Sequence, residues 1–189
     1  MSNAITARTT CRVCGSVNLT SLFSLGEQFV SDFVDSDHIT SGVSCPIDLE
    51  MCNDCMLVQL KHTAPQELLY TRHYWYRSGV TDTMKKALRD VTEAAERVMN
   101  PKGSDVVLDI GSNDGTLLRS YSHLPVGHPK RFLQHLIRVG VEPAKNLAEE
   151  GSNGLDLFVN DFWSWEAYAR AYRDQFLDDD APLESVPKA

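Results

Sequence analysis

The sequence predicts an α/β protein, a small cysteine-built domain followed by a short Rossmann-like parallel sheet, and three observations predict it. Two Cys-x-x-Cys pairs, Cys11-Arg12-Val13-Cys14 and Cys52-Asn53-Asp54-Cys55, bracket the first part of the chain. The apolar run Val106-Val107-Leu108-Asp109-Ile110 passes directly into Gly111-Ser112-Asn113-Asp114-Gly115 and then Thr116-Leu117-Leu118, which reads as strand, glycine-bearing turn and helix. Two later apolar runs, Val139 to Pro143 and Leu155 to Asp161, alternate with helical segments, as the strands of a parallel sheet do.

The two cysteine pairs come first along the chain. Two thiolates separated by two residues grip one metal ion from a tight turn, and Gly15 lets the first turn close. Two such knuckles complete a tetrahedral site, so Cys11, Cys14, Cys52 and Cys55 are the expected ligands of a structural Zn2+ with no open position. Free thiols or two disulfides are the alternative, and paired knuckles in a chain without a secretion signal favour the metal. Neither pair opens a helix after a strand, which argues against a redox role. The 37 residues between the pairs, 15 to 51, exceed a short zinc ribbon and must carry their own structure. There Leu22, Phe23, Leu25, Phe29, Val30 and Phe33 read as a small apolar set, and Met56 to Leu60 as a strand leaving the second knuckle. Cys45 reads as a small buried residue, and His38 and His62 as surface or hydrogen-bonded histidines.

A helical turn is expected at Pro65 to Leu69, followed by the aromatic cluster Tyr70, His73, Tyr74, Trp75 and Tyr76 and then Ser78-Gly79. From Thr83, Met84, Ala87, Leu88, Val91, Ala94, Ala95 and Val98 recur at helical spacing until Asn100-Pro101-Lys102-Gly103. This amphipathic helix is expected to pack across the sheet. The expected division is a zinc-binding domain at 1–63, a linking helical segment at 64–103, a partial cofactor-binding domain at 104–177 and a polar tail at 178–189.

Composition bounds the partners. Hydrophobic content of 42% and charged content of 23% belong to a globular chain of 189 residues, room for one ordinary domain or two small ones. Lys plus Arg at 18 against Asp plus Glu at 26 gives a formal charge of −8, which speaks against a nucleic-acid partner. Met1 to Arg8 lacks the apolar core of a signal peptide, and no apolar stretch approaches membrane-spanning length. The expected location is the cytoplasm, with no membrane partner.

The turn after the first strand selects a cofactor. A dinucleotide site wants G-x-G-x-x-G, but Asn113 and Thr116 occupy the second and third glycine positions. An acid followed by x-G-x-G-x-G, the class I methyltransferase pattern, fits Asp109, Gly111 and Gly115, with Asn113 departing. The cofactor is then S-adenosylmethionine (SAM), which has no pyrophosphate to cradle. Asp109 accepts from its amino group, and the turn from Gly111 through Asn113 to Gly115 passes beneath its methionine part. Glu142, ending the second strand, is placed for the ribose hydroxyls, or is merely an exposed acid. It lies 27 positions after Gly115, against ≈ 20 in the dinucleotide fingerprint, and the excess falls in a loop insertion at His123 to Arg131. Asp161, ending the third strand, suits the adenine amino group or a helix N-cap equally. A helix starts at Pro143-Ala144-Lys145-Asn146. The stripe Trp165, Tyr168, Tyr172 and Phe176 reads as a core-facing helix.

These words in this order resemble one family, the SAM-dependent C-methyltransferases with an N-terminal zinc-binding domain, typified by deoxysugar 3-C-methyltransferases. The matching words are Cys11-x-x-Cys14-Gly15, Leu25-Gly26, Pro46-Ile47-Asp48-Leu49 running to Cys52-x-x-Cys55, and Leu57-Val58-Gln59-Leu60. They continue in Tyr74-x-Tyr76-x-Ser78-Gly79, Leu108 to Leu118 and Glu142-Pro143-Ala144-Lys145-Asn146-Leu147-Ala148, and the resemblance covers residues 11 to 165. It implies methyl transfer from SAM to a carbon beside a ketone in a nucleotide-linked sugar, with Tyr76 helping to bind the substrate or the developing enolate; packing is the other role for Tyr76. The family's base belongs to a Tyr-x-Glu-His-type segment in the later half, and no Glu-His pair occurs in this sequence. The expected fold is therefore the zinc domain followed by a truncated class I methyltransferase sheet, an N-terminal portion inactive alone. Its expected partners are a missing C-terminal half or a second copy. The competing expectation is a zinc-stabilised protein-interaction module without catalytic activity.

Overall fold

The computed structural model describes residues 5–30, 36–37, 42–71, 74–103, 105–121, 136–178 and 181–187. The expectations for Phe33, His38, His73 and the insertion at 123–131 lie outside the described residues. The chain divides into two compact units, residues 1–72 and 73–189.

The first unit is antiparallel throughout. Strands β1 (Thr6–Ala7), β2 (Leu19–Phe29), β3 (Ser44–Cys52), β4 (Val58–Leu60) and β5 (His62–Thr63) form two sheets, β2-β3-β4 and β1-β5. The structure that the long spacing between the cysteine pairs demands is thus a hairpin, with Leu19 opposite Cys52 and Phe29 opposite Ser44. Among the described residues it carries no apolar core. Leu22, Phe23, Leu25 and Phe29 are exposed along β2 rather than gathered into a cluster. Register shifts between Ser21 and Phe23 and between Ser24 and Glu27 break the alternation of β2, so its apolar residues do not share one face. A helical turn over Glu67–Thr71 follows Pro65, whose carbonyl accepts from the Leu68 and Leu69 amides.

The second unit opens with α1 (Asp82–Met99), capped by the Thr81 hydroxyl accepting from the Met84 amide and stopped by left-handed Asn100. Then come β6 (Val106–Ile110), α2 (Thr116–Ser120), β7 (Ile137–Val141), a 3-10 turn at Lys145–Leu147, α3 (Ala148–Ser152), β8 (Leu157–Val159) and α4 (Trp165–Phe176). The three strands are parallel in the order β6-β7-β8, with Val106 opposite Ile137 and Val141 opposite Val159. The second strand sits two residues earlier than its apolar run suggests: the Glu142 amide still donates to the Val159 carbonyl, but Pro143 has no N–H with which to continue the ladder. The core lies between the sheet and α4: Val139, Val141, Leu157 and Val159 pack with Tyr168, Ala169 and Tyr172. Rings at i, i+4 meet along α4, with centroids 5.8 Å apart for Tyr168 and Tyr172 and 4.7 Å for Tyr172 and Phe176.

Helix α1 does not lie across the sheet as expected. Its buried residue is Thr92, whose hydroxyl reaches the Ser120 carbonyl at the end of α2, and Val91, Val98 and Met99 stay exposed. Amphipathic spacing shows that a face is apolar, not what covers it. A cavity of ≈ 520 Å³ separates Ala95, Glu96 and Met99 from β6. The Asp105 carbonyl and the Gly111 amide both bond β7, so the alternate residues Val106, Leu108 and Ile110 turn their backbone groups to the other edge. That edge pairs with no strand among the described residues. No described helix is long and apolar enough to cross a membrane.

Candidate functional site

In the first unit the four cysteines converge. Their Sγ atoms all lie within 4.8 Å of one another, with Cys11 to Cys55 at 3.6 Å and Cys14 to Cys52 at 3.5 Å. A tetrahedral ion with Zn–S ≈ 2.3 Å needs sulfurs about 3.8 Å apart. A disulfide needs ≈ 2.05 Å, and none is formed. Both knuckles close alike: Gly15 donates to the Cys11 carbonyl at φ +73°, and Met56 donates to the Cys52 carbonyl at φ +63°. The Cys14 and Val13 amides point at the Cys11 sulfur and hold its thiol down at about 6. At Cys14 the Ser16 amide acts in the same direction, but the Cys52 and Cys55 sulfurs outweigh it and push the thiol up to about 12. A cluster in which one thiolate opposes the next is what a dication resolves.

Polar side chains brace this centre. Gln59, buried, donates to the Glu50 carboxylate at 2.7 Å and accepts from the Arg12 amide at 2.8 Å, tying the first knuckle to the hairpin. Asp54 accepts from the Ser16 hydroxyl and the Asn18 amide, which hold its carboxyl below the usual range. His62 stands beside Asp48 rather than in the cluster, and Cys45 lies on β3, its thiol pushed up by burial.

In the second unit, residues 111 to 116 form a closed turn between β6 and α2. The Gly111 and Ser112 amides both donate to the Val141 carbonyl, and the Gly115 amide donates to the Ser112 carbonyl. The Asn113 amide donates to Glu142 Oε2 at 2.9 Å, and the Thr116 amide to Asp114 Oδ1 at 3.0 Å. These amides therefore all bond within the protein, leaving no cradle of the kind a pyrophosphate requires. Asn113 sits at φ +53°, the left-handed region that asparagine tolerates best after glycine, which explains its place in the glycine pattern. Gly111 (φ +82°) faces open space, whereas a side chain on Gly115 would strike the Gly151 carbonyl at 2.7 Å. The first glycine leaves room for a ligand. The second lets α2 and α3 approach.

Two carboxylates flank this turn. Glu142 is buried, and its second oxygen accepts from the Ala144 amide at 2.9 Å. Asp109 is half-buried and accepts no hydrogen bond from the described residues; burial, and then the charge of Glu142, push its carboxyl up. A segment without helix or strand, residues 74–79, turning at Ser78 and Gly79, lies along the turn. Asn146 accepts from the Tyr74 amide at 2.9 Å and donates to the Tyr74 carbonyl at 3.0 Å. Asn113 donates to the Tyr76 carbonyl and accepts from the Ser78 amide, both at 2.9 Å. Fully buried Asp114 accepts from the Gly79 amide at 2.6 Å, and Arg77 pairs with Glu150 at 3.0 Å.

Residues 11–70 match the family model described as "Putative zinc binding domain". Over 141 residues, 73% of this chain, the sequence is 28% identical to the C-methyltransferase NovU of Streptomyces niveus. The chain is similar to this C-methyltransferase over that stretch. It spans 31% of the length of that relative.

The structure brings Asp109, Gly111, Asn113, Gly115 and Glu142 to one end of the parallel sheet. It adds the backbone of Tyr76, whose side chain is half-exposed. Asp161 is exposed after β8 and its carboxylate takes the Phe162 amide. It is not the cap of α4, because Ser164 accepts from the Ala167 amide and ends the helix. Sequence reasoning missed Gln59, Asp54, Asp114 and Asn146. The only signal was that Gln59, Asp114 and Asn146 fall inside words carrying the resemblance.

Proposed function

We propose that this chain is the zinc- and SAM-binding portion of a SAM-dependent C-methyltransferase whose acceptor is a nucleotide-linked ketosugar. The observation that carries the reading is the turn at 109–115: bare at Gly111, closed to phosphate, and flanked by Asp109 and Glu142. SAM, when bound, supplies a methyl group on a positively charged sulfur beside an ammonium group. A desolvated carboxylate that no described residue donates to, as at Asp109, suits that ammonium. Glu142 already orders the turn through two amides, and its oxygens retain lone pairs for the ribose hydroxyls. Asp161, exposed beyond β8, is the candidate for the adenine amino group. Tyr76 is the candidate for the acceptor, its phenol helping to hold the oxygen that gains charge as the neighbouring carbon is deprotonated. The four-cysteine zinc is structural, and thiolate ligation suits a reducing compartment, the cytoplasm.

The resemblance places the base in a segment that this sequence does not contain, so the chain alone is proposed to bind SAM without turnover. The open edge of β6 is where a further part of the sheet, from a C-terminal half, would join. Calorimetry of the zinc-loaded chain tests the reading. Micromolar binding of SAM, with none of a dinucleotide, supports it, and methylation of any ketosugar by the chain alone contradicts the stated lack of turnover. One observation favours a second reading, an interaction module: the exposed Leu22, Phe23, Leu25 and Phe29 of β2. Silence toward SAM from folded, zinc-loaded protein would support that one.

A further inference from the structure

Residues 74–79 form no helix or strand of their own, yet they are held in place by other residues' polar groups. The backbone groups that are held belong to Tyr74, Tyr76 and Ser78, the period of an extended strand, with Gly79 after them. Two asparagine amides stand where a neighbouring strand would, each offering one donor and one acceptor. Packing does not account for this, because Trp75 and Tyr76 remain half-exposed. Gly79 marks how closely the segment approaches: a side chain there would meet Thr116 Oγ1 at 2.5 Å and Asp114 Oδ2 at 2.9 Å.

We propose that Asn113 and Asn146 are positioning residues that hold residues 74–79 as a strap against the turn, so that strap and bound cofactor stabilise each other. This rests on the reading of the turn as a SAM site. Asn113 is the link, because its backbone amide donates to Glu142 while its side chain grips Tyr76 and Ser78. Any adjustment of Glu142 toward a ribose reaches the strap most directly through that residue. Asn146 grips the strap only at Tyr74, from the 3-10 turn that follows Glu142. It is therefore the residue to change.

The test combines amide hydrogen exchange over 74–79 with SAM titration calorimetry on the wild-type chain, Asn146→Ala and Asn146→Asp. In the wild type, SAM slows exchange at Ser78 and Gly79. Asn146→Ala speeds exchange at Tyr74 and weakens SAM about tenfold, the loss expected for one or two hydrogen bonds. Asn146→Asp, which keeps the acceptor and loses the donor, falls between, and it decides the matter if the alanine variant does not fold. A loosened strap with unchanged SAM affinity overturns the proposal and leaves the strap purely structural. A wild-type chain with a protected strap and no SAM binding overturns instead the functional reading beneath it.

Discussion

The two units hold themselves together by different means. In the second, aliphatic strand residues and the Tyr168–Tyr172 ladder of α4 are buried against each other, so its structure comes from removing apolar surface from water. In the first, the buried side chains among the described residues are Cys11, Cys52, Glu50, Gln59 and Leu68, and the large apolar residues of β2 stay outside. Its interior is a metal centre and a polar brace. A domain too small for a core commonly relies on a metal in this way. The same sequence property, apolar content, therefore means stability in one unit and surface in the other.

Metal removal breaks the comparison most sharply. Chelation, or Cys52→Ala, removes binding free energy on the order of 10 kcal/mol from the first unit. Circular dichroism and hydrogen exchange are expected to show residues 5–71 unfolding while the amides of β6 and β7 keep their protection. Core substitutions give the reverse. Val139→Ala, at a fully buried position, is expected to cost about 2–3 kcal/mol in denaturant melts of the second unit. Phe29→Ser, on exposed β2, should move the first unit by less than about 0.5 kcal/mol.

Acidity sharpens the picture at the turn. The carboxyl of Asp109 is raised in the folded chain, so from the ordinary carboxylate range upward the unfolded state ionises first and the charge opposes folding. Asp109→Asn is accordingly expected to raise the melting temperature of the second unit at neutral pH while weakening SAM severalfold. Affinity for SAM in the unaltered chain should rise as the pH climbs above the ordinary carboxylate range and Asp109 ionises. Glu142, whose charge holds Asp109 up, and Tyr121, held up by burial and then by Asp109, are the titratable neighbours to control for. A modest gain is expected at the second knuckle, where Met56 adopts the conformation that Gly15 adopts in the first. Met56→Gly should stabilise the zinc-loaded unit by about 1 kcal/mol in chelator competition.

How much of this was legible in the sequence depended on the kind of signal. The boundaries of β6 and the run of α1 follow from apolar periodicity, which reports local geometry directly. The cysteine cluster follows from spacing, since two residues between thiolates fix a bite. The hairpin β2–β3 did not show, because bulges break its alternation and its apolar residues face solvent. The asparagine grips on residues 74–79 were equally hidden. An amide in a motif declares two hydrogen bonds without saying whose backbone will receive them.

Nitrogen-15 correlation spectra of the zinc-loaded chain during a SAM titration test the central claim most directly, since the amides of Gly111, Asn113 and Gly115 can each be watched. Saturable shifts at these three and at Glu142, matched by S-adenosylhomocysteine and not by a dinucleotide, are the predicted result. Unmoved turn amides at millimolar SAM, or equal shifts with the dinucleotide, would contradict it.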